Sequence, residues 1–282
     1  MPELDTVAPV DAVTLDKLAG LRDGLRRGGP VVVAFSGGAD SAFLAWVAAD
    51  TLGAGAAPAV TAVSPSLAPE EEADCAAFAA EHGLVWHRVV TDELADPAYT
   101  ANDGDRCYYC KTTLMEALAP LAAGWGARIA LGVNLDDLGE HRPGQRAAAE
   151  RGAAFPLVEA GLAKAEVRGL SRHLGLRTWD KPAAACLASR VPYGTPVTIG
   201  TLRSVARAES GLRLLGLRAL RVRHYGELAR IEVPVDELEM VVARRVEVVG
   251  AVRAAGYRYV TLDLEGLRSG NLNLALDGRW TS

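Results

Sequence analysis

Residues 30–53, PVVVAFSGGADSAFLAWVAADTLG, constrain the fold more than any other stretch of the chain. The run VVVAF is short, apolar and rich in β-branched residues, which reads as a buried strand, and the segment after it carries apolar residues at helical spacing. Between them, Ser36-Gly37-Gly38-Ala39-Asp40-Ser41 forms a glycine turn. The alternation then repeats. AVTAVSPS reads as a strand, APEEEADCAAFAAEHG as a helix with an acidic first turn, and LVWHRVVTDE as a third strand. A helix beginning near Cys107 leads to ARIALGVNLDD, a fourth strand, and a further helix over residues 14–27 precedes the first. Strands alternating with helices through short connections predict an α/β fold whose parallel sheet is covered on both faces. Ligands of such sheets gather at the carboxyl ends of the strands. SGGADS, DGDRCYYC and NLDD each lie at or beyond such an end, so one site can draw on all three.

A second pattern follows. GLAKAEVRGLSRHLGLRTWDKP gives a helix, and PAAACLASRVPYG after it is irregular. Then come a helix over 198–215, two strands in ALRVRHYGELARIEVP around a turn at Tyr225–Gly226, a helix over 235–255, and a strand in YRYVTLDL. This is a small α+β unit, and the expected division is 1–195 and 196–282.

Composition narrows the partners. Half of the residues are apolar and 23% are charged, as in a protein that buries a core. No apolar run approaches the ~18–20 residues of a membrane span. The acidic start MPELDTVAPVDAVTLDKL lacks the basic flank of a signal peptide. A cytoplasmic location is therefore expected, where reactive or metal-binding roles suit cysteines better than disulfides. Residues 198–282 hold 13 basic and 10 acidic side chains, an excess too small for a nucleic-acid surface.

The glycine turn is built for phosphate. Gly37 and Gly38 let the backbone approach an anion, and the next helix directs its N-terminal N–H groups to the same place. Ser36 and Ser41 can donate to phosphate oxygens, and Asp40 can hold a magnesium ion. A plain glycine turn capped by Ser and Asp is the ordinary alternative. The chain has four cysteines, two of them three apart as Cys107 and Cys110. By spacing alone the pair can be a redox dithiol, half a zinc site, part of an iron–sulfur site or a turn without chemistry. Cys75 sits at helical spacing with Phe78 and Ala79, which assigns it to the core.

SGGADS resembles the PP-loop of the ATP pyrophosphatases, which split ATP between the α and β phosphates; a Walker A loop would need GxxxxGK[ST]. The ordered set SGGADS, DRCYYCK, LGVNLDD, HRPGQRAA, FPL, the block from GLAKAEVR to WDKPAAACLASRVPYG, and RVRHYGELARIEV covers residues 31–275. It resembles the LarE-type ATP-dependent sacrificial sulfur transferases. That resemblance implies adenylylation of the carboxylates of pyridinium-3,5-biscarboxylic acid mononucleotide and their conversion to thiocarboxylates for a nickel-pincer nucleotide cofactor. The cofactors implied are ATP and Mg2+.

The resemblance also assigns residues. Cys186 matches the cysteine that surrenders its sulfur and becomes dehydroalanine; a small buried thiol among alanines is the plain alternative. Against that alternative, Lys181, Ser189 and Arg190 around it point to a solvated, electropositive loop that favours thiolate. Other family members add a cysteine pair, and their likeness implies that Cys107, Cys110 and Cys186 hold a 4Fe-4S cluster with one open iron that takes up a further sulfide from a sulfide or persulfide donor. A zinc site or a free dithiol are the alternatives. Glu209, Arg221, Arg223 and Glu232 match positions that handle the nucleotide or sulfur transfer. Arg221 and Arg223 share one face of a strand and can grip a phosphate, or else form a solvated strand face with Glu232 across the hairpin. Arg142 is read as a phosphate contact or a helix start, and Lys164 as a pyrophosphate neutraliser or an exposed helix lysine. Asp136 and Asp137 are read as nucleotide or magnesium contacts, or as helix caps. The resemblance further implies a homo-oligomer. A tRNA thiolase would want a dedicated RNA-binding face, and an amidotransferase-like synthetase would have no use for Cys186. A non-catalytic nucleotide-binding iron–sulfur carrier leaves the second unit without a purpose.

Overall fold

The structure, a computed structural model, describes residues 10–139, 143–182 and 185–268. In chain order its elements are α1 (Ala12–Gly28), β1 (Val31–Ala34), α2 (Ala39–Leu52), β2 (Ala59–Val63), α3 (Pro69–Glu81), β3 (Trp86–Val90), α4 (Pro97–Thr100), α5 (Arg106–Gly124) and β4 (Arg128–Leu131). They continue as α6 (Pro143–Glu150), α7 (Pro156–Glu159), α8 (Lys164–His173), α9 (Ile199–Leu214), β5 (Arg221–Tyr225), β6 (Leu228–Glu232), α10 (Leu238–Ala243), α11 (Arg245–Ala254) and β7 (Tyr259–Leu262). No described helix is long and apolar enough to cross a membrane.

The chain divides into two compact units. Of the described residues, one comprises 10–93, 107–139 and 143–182; the other comprises 94–106 and 185–268. The boundary expected at 195–196 falls inside the second unit, which also takes in the short excursion Leu94–Arg106.

The first unit is the α/β fold expected. Its strands pair in the order β3-β2-β1-β4, all parallel. Alternate residues of each strand face opposite sides of the sheet, and the core follows that rule. Val31, Val33, Ala59 and Ala130 face one cluster, with Phe43, Leu44 and Val47 of α2 and Val167 and Leu170 of α8. Val32, Val60, Ile129 and Leu131 face the other, with Met115, Leu118 and Ala122 of α5. Chain order reverses between β1 and β4, which is where a crevice opens in sheets of this kind. The fourth strand is shorter than its sequence pattern, ending where its pairing with β1 ends at Ala34–Leu131; Gly132 next passes against α2, where a Cβ would meet the Ser41 amide nitrogen at 2.8 Å.

In the second unit β5 and β6 form the expected hairpin, and β7 joins β6 in parallel. Val222, Ala229 and Ile231 pack against Ala208 and Leu212 of α9 and Val248 and Val252 of α11. The single helix expected over 235–255 is interrupted. A 3-10 turn at Val235–Glu237 leads into α10, and Arg244, at φ −97° and ψ 22°, separates α10 from α11. The Arg244 guanidinium there donates to the Leu215 carbonyl and to Glu247.

Candidate active site

The two units each carry one chemically equipped loop. In the first, β1 ends and residues 36–41 turn into α2. Gly37 has φ +73°, a backbone that favours glycine. The site is also sterically closed, since a Cβ on Gly37 would lie 2.7 Å from the Cys75 sulfur. Ser41 Oγ accepts from the Ser36 amide (3.2 Å), lies 3.1 Å from Ser36 Oγ and donates to the Gly38 carbonyl (3.1 Å). The turn is thus closed by its own residues. Gly38 is the N-cap of α2 and offers no side chain to its first amides. Those amides and the helix dipole are what an anion would meet.

Asp40 follows in the first turn of α2. Its Oδ1 accepts from Asn134 Nδ2 (3.1 Å), and Asn134, fully buried, has its own amide held by Asp137 (3.1 Å). Burial raises the Asp40 pKa above the usual carboxylate range, with the Asn134 hydrogen bond opposing it and the Asp137 charge adding to it. A magnesium ion on a nucleotide commonly takes one or two protein carboxylates besides phosphate oxygens. Asp40 fits that need, although no three His, Cys, Asp or Glu side chains group as a metal site among the described residues. Asp136 caps α8, accepting from the Lys164 amide at 2.7 Å. Lys164 is therefore the first residue of α8. Arg142 lies outside the described residues.

Two neighbours of this loop are given no role at it by the sequence pattern, although one lies in NLDD and the other reads as part of the Cys186 loop. Asn134 is one. Lys181, from WDKP, is the other: its Nζ bonds Glu71 (2.8 Å) and Asp74 (2.6 Å) of α3 and would stand 3.7 Å from a Cβ at Gly37. Cys75 lies in the core as expected, and burial pushes its thiol up to about 11.

Cys107 and Cys110 lie in the first two turns of α5, three residues apart and so on one helix face. Neither is in a disulfide; Cys107 is exposed and Cys110 half-buried. Gly144 of α6 packs against this segment, where a Cβ would come within 3.0 Å of the Cys107 carbonyl.

The second unit carries Cys186, an exposed free thiol at the head of the 3-10 turn Leu187–Arg190. Three buried arginines hold this turn by its carbonyls. Arg190 Nη1 donates to Ala185 O (2.7 Å), Cys186 O (3.3 Å) and Ser189 Oγ (2.9 Å). Arg106 Nη1 donates to Ala188 O (3.0 Å), and Arg223 Nη1 to Ser189 O (2.8 Å). Each guanidinium has its own buried anchor. Glu209 takes Arg190 Nε (2.8 Å) and also the Val222 amide (3.0 Å). Glu232 takes Arg223 Nη2 at 2.9 Å and Arg230 Nη2 at 3.0 Å. Asn102, at φ +59°, accepts from Arg106 and spends its own amide hydrogens on Pro192 O and Thr195 O, both at 2.8 Å.

The structure therefore brings Cys186, Glu209, Arg223 and Glu232 together in one unit. Arg221 stands beside them, opposite Glu232 in the hairpin register. Its guanidinium donates to the Arg268 carbonyl (2.9 Å). Burial, then the charges of Arg223 and Arg190, lower its pKa below the usual arginine value. A cation crowded by cations is a place where an incoming anion gains.

A parallel α/β sheet whose first strand runs into SGGADS at the point of order reversal defines a PP-loop protein. No family model matches the chain. Among curated proteins, pyridinium-3,5-bisthiocarboxylic acid mononucleotide synthase of Lactiplantibacillus plantarum is 38% identical over 244 residues, 86% of this chain and 88% of that one. The chain belongs to the LarE-type family. An uncharacterised protein of Synechocystis sp. is 48% identical over 92% of this chain and 98% of its own length. One from Methanocaldococcus jannaschii is 26% identical over 91% and 99%.

Proposed function

We propose that the protein is an ATP-dependent sulfur transferase of nickel-pincer nucleotide synthesis, acting on pyridinium-3,5-biscarboxylic acid mononucleotide. One observation carries this reading. A chain with a phosphate loop also presents a free, exposed thiol at Cys186, on a turn that buried arginines hold by its backbone. The similarity to the Lactiplantibacillus synthase supports the substrate class.

In the first half-reaction a substrate carboxylate oxygen attacks the α-phosphorus of ATP. The α–β bridging bond breaks, and pyrophosphate leaves with its electron pair. The amides at the start of α2, Ser36 and Ser41 hold the phosphates, and Asp40 would hold the magnesium ion that shields their charge. In the second half-reaction a sulfur nucleophile attacks the acyl carbon, the C–S bond forms, and AMP departs with the oxygen. When the Cys186 thiolate is that nucleophile, loss of its α-proton breaks the Cβ–S bond. The product keeps the sulfur, and the protein keeps dehydroalanine. Arg221 is the phosphate contact of the nucleotide substrate, and Lys164 meets the leaving pyrophosphate.

Cys107, Cys110 and Cys186 suit a 4Fe-4S cluster by their chemistry, being three cysteines outside any disulfide of which none is fully buried. Such a cluster, when bound, would supply an exchangeable sulfide and leave Cys186 intact. The test is anaerobic reconstitution with iron and sulfide, followed by the visible spectrum and metal content of the parent protein and of Cys107→Ala, Cys110→Ala and Cys186→Ala. An iron–sulfur chromophore present in the parent and lost in all three variants is expected. Absence of a chromophore, with the chain lighter after turnover by the mass of one hydrogen sulfide at Cys186, would replace the cluster route by the sacrificial one. Absence of ATP-dependent thiocarboxylate by either route would remove the proposed function.

A further inference from the structure

We infer that Arg190 and Arg106 are positioning residues for sulfur transfer, fixing the Cys186 turn so that only the cysteine side chain keeps rotational freedom. The inference rests on the reading of Cys186 as the sulfur-handling residue, and it concerns two arginines that make no claim on substrate. Arg190 spends all three of its nitrogens: Nε and Nη2 on Glu209, Nη1 on the two carbonyls and the hydroxyl around Cys186. Arg106 closes the other side through Ala188 O and is itself clasped by Asn102. With Arg223 on Ser189 O, the carbonyls of residues 185, 186, 188 and 189 are all engaged. Ser189 Oγ adds a further bond to Cys186 O at 2.7 Å.

The choice of residue type matters. A guanidinium is a planar fork that can serve a carboxylate and several carbonyls at once, whereas an ammonium is a point charge. A buried ion pair adds little net stability over a well-packed apolar substitute. What it does supply here is a fixed backbone under an exposed thiol. Displacement of a reacting atom by about 1 Å can cost on the order of 100-fold in rate.

The test separates the two half-reactions. Full-length parent, Arg190→Lys, Ser189→Ala and Cys186→Ser are compared for pyrophosphate released and thiocarboxylate formed from ATP and the biscarboxylate mononucleotide. Urea unfolding is measured alongside. Arg190→Lys is expected to release pyrophosphate within about twofold of the parent while thiocarboxylate formation falls on the order of 100-fold. Ser189→Ala, at a half-buried position and free to fold, loses roughly fivefold in transfer, the worth of one hydrogen bond. Parent-like transfer in Arg190→Lys overturns the inference, as does an equal fall of both half-reactions. Should Arg190→Lys fail to unfold cooperatively, Ser189→Ala decides alone. If Cys186→Ser still transfers sulfur, the reading of Cys186 fails instead, and the two failures are thereby told apart.

Discussion

The two loops proposed to carry the chemistry are held by opposite means. The phosphate loop is closed by its own backbone and by two serines five positions apart. The Cys186 turn is closed by side chains that reach it from 82 residues away at Arg106 and 34 away at Arg223. A backbone-built loop leaves its amides for an anion and tolerates no added side chain. A turn clamped through its carbonyls offers its side chain to solvent and tolerates no missing charge. Each is suited to its proposed task, one to hold phosphate, the other to present sulfur.

The largest effect that would break this comparison is expected at Glu209. It is fully buried, and Arg190, Arg213 and the Val222 amide all depend on it. Glu209→Gln leaves Arg190 buried with one charge uncompensated, a loss of about 3–5 kcal/mol. Urea unfolding should show it, and thiocarboxylate formation should fall further than pyrophosphate release. A variant of parental stability would show that the Cys186 turn does not rest on this carboxylate.

The same contrast explains what the sequence made legible. The sheet, the glycine loop and the cysteine helix are local patterns, read from strand runs, helical spacing and a turn motif within a few residues. The hairpin was legible too, and Arg223 does pair with Glu232, but the pair is buried rather than on the solvated strand face the sequence suggested. The neighbours of the phosphate loop were not. Asn134 meets Asp40 from 94 residues away, and Lys181 meets Asp74 across 107. The local pattern puts NLDD at a strand end without singling out Asn134, and it assigns Lys181 to the Cys186 loop instead. Nor does periodicity reveal the break at Arg244. VDELEMVVARRVEVVGAVRAAG has no proline and its apolar spacing is helical throughout. The interruption comes where Arg244 turns to Leu215, 29 residues earlier.

A middle-sized effect belongs to Gly37. A non-glycine residue at φ +73° carries about 1–3 kcal/mol of strain, and here its Cβ would also strike the Cys75 sulfur. Gly37→Ala should lower ATP-dependent pyrophosphate release on the order of 10- to 100-fold, the rate equivalent of that strain. Cys75→Ala in the same chain removes the clash and leaves the backbone cost, so it should recover part of the loss. Complete recovery would show that the contact, not the backbone, makes glycine necessary.

The smallest effect sharpens the comparison most, because it touches charge at the phosphate loop without touching its backbone. Asp74 holds Lys181 and Arg177. Burial would raise its pKa, but the Lys181 and Arg177 hydrogen bonds and charges outweigh it and hold the carboxyl below the ordinary 3.8. A carboxyl depressed on folding contributes stability above its unfolded pKa and loses it as pH falls through the folded value. Asp74→Asn should therefore be less stable than the parent at pH 7, by under about 1 kcal/mol for a partly exposed pair. The gap should close as the pH drops below 3.8. Glu71 still holds Lys181 in that variant, and Ser36, Gly38 and Ser41 still close the loop. Pyrophosphate release should accordingly stay within about twofold of the parent, a change worth less than that one ion pair. A larger fall would mean that Lys181 must be steered by Asp74 to serve the phosphates, and that this loop, like the cysteine turn, depends on a distant ion pair.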